Sequence, residues 1–400
     1  MRVYRALRGG SLSACALSAA GLLLAAPAFA QRAVTGYALN VATWSGDSPL
    51  AESGAADFQR LRLMAEPVLG PLRFDLAWDH VAILQRPAAV GAGLLSSEAS
   101  ASNWWDLDRD IVDRRDFRWS HGLDRLAVSV AGRGVEATAG RQAISWATTL
   151  FLSPADPFTP FDPADPFREF RPGVDAVRVQ VFPGPLTEVE MVLRRSKTPD
   201  GETWTTLVRA RTSGGRTDVS GWGGVLHGRL AAAIAATTTA AGAALRGELS
   251  VRRDGTGDGV LRAAIGADRR WTVAGRDLYA IVELQHDGFG AADADEIPRV
   301  LVSRPYRRGE MQTLGRDALA AQASWQAHPL VGLQWLTLWN LRDGSALHSP
   351  GVAISATRWL DLRAGTYVST GDDDLSEFGV PGSEYGLVPA VGYVSLAAFF

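Results

Sequence analysis

Few residues in this chain could do chemistry, and their spacing assembles no site. The six histidines, His80, His121, His227, His286, His328 and His348, are scattered. No H-E-x-x-H and no paired metal-ligand spacing joins them, and there is no G-x-S-x-G elbow and no P-loop. The single cysteine, Cys15, falls inside the leader described below. Disulfides, thiolate metal sites and cysteine nucleophiles are therefore not expected. No cofactor and no metal is implied. His121 with Asp124, and His286 with Asp287, are the first candidates for a discontinuous active site of lipase or protease type. "DGTGDG" (Asp254 to Gly259) reads as a turn between two strands. "WWDLDRDIVDRRD" (Trp104 to Asp116) reads as a short helix with a solvated charged face, set in a loop.

The chain does carry fixed charge at alternate positions. In "PLRFDLAWD", Leu72, Phe74, Leu76 and Trp78 alternate with Arg73, Asp75, Ala77 and Asp79. In "LRGELSV", Leu245, Leu249 and Val251 alternate with Arg246, Glu248 and Ser250. A period of two is the signature of strands with one apolar and one polar face. A soluble β-sandwich or propeller also alternates. Charge on nearly every strand is excessive for one exposed sheet and natural for a wet lumen. On the lipid face of a transmembrane barrel such a charge costs about 2–4 kcal/mol near the midplane. The candidate lumen residues are Arg62, Arg73, Asp75, Arg178, Glu188 and Glu190, with Arg209, Arg246, Glu248, Glu283 and Arg363. Tryptophans near strand ends or flanks (Trp44, Trp119, Trp146, Trp204, Trp271, Trp325, Trp359) read as an aromatic girdle.

The ends of the chain point the same way. Arg2, Arg5 and Arg8, an apolar run from Ala14 to Ala26, and Ala28-Phe29-Ala30 form a secretory signal cleaved after residue 30. The formal net charge is −3. The leader holds three arginines and no acid, so residues 31–400 are more acidic still, which argues against a nucleic-acid partner. No later run is long and apolar enough for a transmembrane helix. Tight turns at 131–134, 183–185, 213–215 and 327–329 contrast with long polar connections at about 87–120, 147–173, 288–312 and 370–386. Short turns at one end and long loops at the other belong to outer-membrane barrels. At roughly 20–25 residues per strand and connection, an all-β transmembrane barrel of about 16 strands (roughly 14–18) is expected over 31–400. The chain ends "VGYVSLAAFF". This looks like the C-terminal signal of Gram-negative outer-membrane proteins, whose terminal phenylalanine, here Phe400, is read by the barrel-assembly machinery.

Between Ala155 and Pro172 one nine-residue pattern, Ala-Asp-Pro-Phe-x-x-Phe-x-Pro, is written twice. That proline density excludes helix and strand interiors. Proline lowers the entropy cost of ordering the segment, and Phe158, Phe161, Phe167 and Phe170 can pack it against a wall. Asp156, Asp162, Asp165 and Glu169, with Arg168 and Arg171, would then present fixed charge. Folded inward, the loop would narrow a lumen; folded outward, it would be a stiff rim loop. Spacing of nine between Asp-Pro steps does not make a compact Ca²⁺ cage.

The stretch 122–182 resembles a region of porin-like proteobacterial barrels related to the alginate-export and similar outer-membrane families. The matching residues are Gly140, Arg141, Gln142, Ile144, Ser145 and Trp146, then Arg171, Pro172 and Gly173, with Ala147 where a glycine is usual. The resemblance implies a channel without specifying its cargo. The expected partners are outer-membrane lipid, the assembly machinery and a small-molecule solute. The expected function is passive diffusion of small polar or charged solutes. A barrel enzyme and a non-conducting surface scaffold are the alternatives, and the oligomeric state is left open.

Overall fold

The structure is a computed structural model that describes residues 34–50, 52–86, 103–158, 167, 169–198, 201–255, 257–376 and 379–400. The expected signal at 1–30 lies outside the described residues. Among the described residues twenty antiparallel strands form one sheet. β1 (Thr35–Ser45) pairs with β2 (Gly54–Ala65) on one side and with the last strand, β20 (Val391–Phe399), on the other, so the sheet closes into a barrel. β3 (Val68–Leu69) and β5 (Asp108–Asp113) are short additions to neighbouring strands, which leaves eighteen in the wall. An 11-residue strand is about 37 Å long. Tilted by about 40°, it spans about 28 Å, enough for the apolar band of an outer membrane.

The polarity is inverted relative to a soluble protein. On β13 (Ala243–Arg253), Leu245, Leu249 and Val251 are exposed on the outer face, while Glu248, Ser250 and Arg252 are buried inside. On β15 (Arg276–Asp287), Val282 and Leu284 face out, and Glu283, Gln285 and Asp287 are buried. In hydrocarbon every backbone group must be satisfied by a neighbouring strand, which a closed barrel achieves. Among the described residues no helix is long and apolar enough to cross a membrane.

The turns at one end are tight. Arg133-Gly134, Ala241-Gly242 and Ala274-Gly275 each place both residues at positive φ, the type I′ geometry that matches strand twist. The opposite end carries the long connections, of which 143–173, 288–316 and 371–390 are the largest described. The 288–316 connection contains two short helices, α1 (Ile297–Leu301) and α2 (Arg304–Arg307).

The eighteen strands of the wall lie at the top of the expected range of 14–18, since the long-loop end also carries a short connection of two residues at 227–228. Two sequence expectations need correction. The segment 104–116 is not a helix. Part of it forms β5, which pairs with β6 (Phe117–Gly132) at Arg109↔His121 and Asp110↔Ser120. The reason is that β7 (Val135–Gln142), eight residues long, covers only the lower half of β6 and leaves the upper half open to pairing. Trp146 is not a girdle residue. It is 2 % exposed and lies inside the barrel, whereas Trp44, Trp204 and Trp271 are exposed on the outer face.

Candidate functional site

The site begins where β7 ends early. After Gln142 the chain leaves the wall, and it re-enters at Val174 as β8 (Val174–Gly184). Gly140, Arg141 and Gln142 work at this exit, and Gly173 at the return. Gly140 sits at φ +121°, and a Cβ there would lie 2.2 Å from the Leu126 carbonyl oxygen, so only glycine fits. Arg141 is buried and pairs with Asp175 at 2.8 Å. It also donates to the carbonyls of Leu123 at 3.1 Å and Trp105 at 2.5 Å. Its guanidinium thus fills the notch between β6 and β8 that β7 does not reach. The Gln142 amide donates to the Ala176 carbonyl at 3.1 Å. At the re-entry point the Gly173 N–H donates to Asp124 at 2.8 Å, and a Cβ on Gly173 would lie 2.1 Å from the Asp124 carbonyl oxygen.

Between exit and re-entry the described part of the loop runs inside the barrel. Two wall glutamates hold it. Glu283 accepts the backbone N–H groups of Leu150, Phe151 and Leu152 at 2.5, 2.8 and 2.9 Å. Glu248 accepts those of Thr148, Thr149 and Ala155 at 3.1, 3.5 and 3.1 Å. A buried irregular backbone has orphan donors that must find acceptors, and these two carboxylates supply them. Carbonyls of the same segment accept from the wall: Ala155 from the Trp222 indole at 3.1 Å and Pro154 from Ser250 at 3.3 Å. Trp146 donates to Glu190 at 3.0 Å and meets Phe158 edge-on at 4.9 Å.

The far side of the loop reaches the opposite wall. Phe167 meets Tyr393 of β20 edge-on at 5.0 Å. Phe170 stacks on Tyr37 of β1 at 6.0 Å, with the Arg62 guanidinium 4.7 Å over its ring. Leu152 and Phe167 are buried with Val41, Phe58, Leu338 and Leu347. Asp156 joins the two limbs: it accepts from Ser145 at 2.9 Å and pairs with Arg171 at 3.1 Å. Glu169 pairs with Arg363 at 3.7 Å, and burial pushes its carboxyl above the usual range against the pull of that arginine. The loop therefore crosses the lumen from β13 and β15 to β1 and β20. Beside its returning limb a cavity of about 640 Å³ remains, lined by Tyr37, Arg60, Arg62, Asp79, Asp124 and Phe170 among others.

The other candidate lumen residues face inward, mostly as ion pairs. Arg62 binds Asp79 at 2.7 Å and Asp124 at 2.6 Å. Glu190 holds Arg178 at 2.6 Å and faces Arg209 at 3.9 Å. Glu188 accepts from Gln180 at 2.7 Å and lies 3.7 Å from Arg211. Arg246 pairs with Asp268. Asp75 lies 4.0 Å from Arg125, and Arg73 is exposed at the short-turn end. Asp162, Asp165 and Arg168 lie outside the described residues. Phe400 exchanges two backbone hydrogen bonds of 2.9 Å with Gly36, extending the closing seam.

Neither histidine–aspartate pair assembles. His121 accepts from the Trp78 indole at 3.3 Å, while Asp124 is held by Arg62 at 2.6 Å and by Arg125 at 2.5 Å. His286 pairs with Asp317 at 2.7 Å, and Asp287 is held by Arg262 inside the wall. The sequence reading omitted Asp79, although it shares the alternating face of Arg73 and Asp75. It named Asp124 only as a partner for His121, and it omitted Arg125 and Glu310; a bulge and a long loop leave these positions no periodic signal.

No protein-family model matches the chain, and no curated protein matches it in sequence. Its fold is similar to solved outer-membrane porins. Pseudomonas aeruginosa OpdK, solved with vanillate, superposes at TM-score 0.53 and 10 % identity, covering 93 % of this chain and 100 % of that one. A BenF-like porin from Pseudomonas fluorescens Pf-5 gives 0.52 and 9 %, covering 92 % and 98 %. Pseudomonas aeruginosa OpdQ gives 0.51 and 9 %, with the same coverage.

Proposed function

We propose that this chain is a passive channel of a Gram-negative outer membrane, admitting small polar or charged solutes past the inward-folded loop 143–173. The observation that carries this reading is the pair of wall carboxylates, Glu248 and Glu283, that tether the loop across the lumen. An eighteen-stranded barrel is wide enough for an aqueous channel. Opposed fixed charges along a narrowed lumen set which solutes pass. The reading needs no ATP, cofactor or catalytic residue. The likeness in fold to solved outer-membrane porins supports it. The Gly140–Arg141–Gln142 exit and the Pro172–Gly173 return support a finer kinship, with alginate-export and related proteobacterial barrels. Lipid covers the outer face, and the assembly machinery reads the strand ending at Phe400.

Liposome swelling tests the proposal. Vesicles carrying refolded protein should swell in small sugars and amino acids, and faster when residues 155–172 are deleted. If vesicles with demonstrably folded protein swell no faster than empty ones, with or without the deletion, the barrel is a non-conducting scaffold.

A further inference from the structure

The outer face of the barrel is not apolar throughout. Beside the closing seam, the lumen-facing residues Tyr37, Leu39 and Val41 of β1 and Phe58 of β2 pack with Leu152 and Phe167 of the loop. Side chains alternate along a strand, so Ala38, Asn40, Ala42, Asp57, Gln59 and Leu61 face outward. Three of these six are polar. Asn40 lies directly opposite Gln59, and Ala42 opposite Asp57. The Asn40 amide donates to the Asp57 carboxylate at 3.1 and 3.0 Å, and the Gln59 amide donates to it at 2.8 Å.

Asn40 is the central residue of the eleven in β1, so the group sits near the middle of the hydrocarbon layer. By contrast, β13 and β14 (Gly259–Val273) present Leu249 and Ile265 near mid-strand, both exposed. Among the described residues no donor reaches the Asn40 side-chain oxygen. Hydrocarbon holds no water to supply one, and an unsatisfied polar group there is costly. Asn40 and Gln59 line an open groove of about 710 Å³, together with the small side chains of Ala38, Ala398 and Ala82, the last on β4 (Leu72–Arg86). Lipid tails can fill such a groove but cannot donate to the amide oxygen.

We propose that this face is where a second copy of the chain docks, about a two-fold axis along the membrane normal that passes between Asn40 and Gln59. Every copy inserts in the same sense, with its short turns on the periplasmic side. Two neighbours therefore present the same residues at the same depth. An axis between Asn40 and Gln59 brings the amides of both copies together, whatever the strand tilt. An amide is donor and acceptor at once, so the Asn40 oxygen of each copy meets N–H groups of its own kind across the axis. Asp57 lies off the axis, which keeps the two carboxylates apart. The alanines let the two walls approach closely, as small residues do where membrane segments pack. From β20 to β6 and from Gly36 to Trp44 the face measures about 19 by 26 Å. A pair then covers about 1,000 Å² in total, the size at which an interface becomes specific. The inference rests on the outer-membrane placement of the barrel and not on conduction.

The only cysteine in the sequence, Cys15, lies in the leader, so a cysteine placed on the face reports contact cleanly. Asn40→Cys, expressed in an outer membrane and treated with a mild oxidant, should crosslink to a dimer. Ile265→Cys, also on the outer face but far from the seam, should stay monomeric. Sedimentation equilibrium of the otherwise unaltered folded protein in density-matched non-ionic detergent should give the mass of two chains. Asn40→Leu/Gln59→Leu should dissociate at least tenfold more readily while keeping its heat-modifiable mobility, because leucine suits the lipid face. Equal crosslinking of the two cysteine variants, a monomeric intact protein, or a dimer undiminished in the double variant overturns the interface. A mass of three chains overturns the two-fold arrangement. Phospholipid retained by a monomeric intact protein would assign the groove to lipid instead.

Discussion

The carboxylate of Glu283, on the barrel wall, receives the backbone N–H of Leu152 at 2.9 Å from a loop 131 residues earlier in the chain. Both residues are almost fully buried. This contact and its neighbours hold residues 148–155 of the loop against the inner wall. Removing the carboxylate leaves three donors without an acceptor. Glu283→Ala should lower unfolding stability by about 1.5–3 kcal/mol, the scale of hydrogen bonds to a charged group. It should also speed chymotrypsin cleavage after Phe151, whose N–H the same carboxylate holds. Equal cleavage rates for the variant and the intact protein would mean the loop is held by its phenylalanines alone.

The exit from β7 depends on a backbone that only glycine adopts without strain. Gly140→Ala adds a Cβ 2.2 Å from the Leu126 carbonyl at φ +121°. The expected cost is about 1–3 kcal/mol from the backbone alone, with the clash in addition. A heat-modifiable gel shift should show a smaller folded fraction than for Ala139→Gly, one position away.

Arg141 and Asp175 form a buried pair with side chains 2 % and 5 % exposed. Breaking such a pair costs about 3–5 kcal/mol, because one charge stays buried and unmet. Arg141→Lys keeps the charge and loses the planar fork that also serves the Leu123 and Trp105 carbonyls. Urea unfolding should rank intact protein above Arg141→Lys and Arg141→Lys above Arg141→Ala. A lysine variant as stable as the intact protein would show that charge alone fills the notch.

His227 gives a pH dependence of definite sign. Its folded pKa, about 4, lies below its ordinary 6.5, so the unfolded chain binds the proton more readily. Stability from this group is complete above pH 6.5 and is lost as pH falls toward 4. The loss between pH 7 and 4.5 should be about 2–3 kcal/mol. His227→Asn, which tolerates the positive φ of that turn, should flatten the curve in this window. Glu310 acts at lower pH. Burial raises its pKa, but Arg252, His227, Arg308 and Arg262 more than offset this and hold it below the usual carboxylate range. Its contribution is lost only as pH falls through that depressed value.

The barrel was legible because alternation survives in many of the long strands: on β13 Leu245, Leu249 and Val251 face out as their spacing requires. The inner face was legible for the same reason, and Arg178, Glu190, Arg246 and Glu283 all lie on it. Which charge meets which was not legible. Glu283 and Leu152 come together only through the closure of the barrel, which no local pattern encodes. Trp146 was misread because a tryptophan at a strand end looks like a girdle residue. It is inside because the chain has already left the wall at Gln142. β5 was misread because its charges suit a solvated helix, and its strand form comes from the unpaired upper half of β6 that the short β7 leaves behind.

The most direct test of the central claim is single-channel conductance in a planar bilayer. The comparison is between the refolded protein and the Glu248→Ala/Glu283→Ala double variant, both shown to be folded by heat-modifiable mobility. The account predicts that the intact protein conducts and that the double variant conducts more, because the tethered loop is the constriction. Equal conductance in the two, or a folded protein that never conducts, would contradict it.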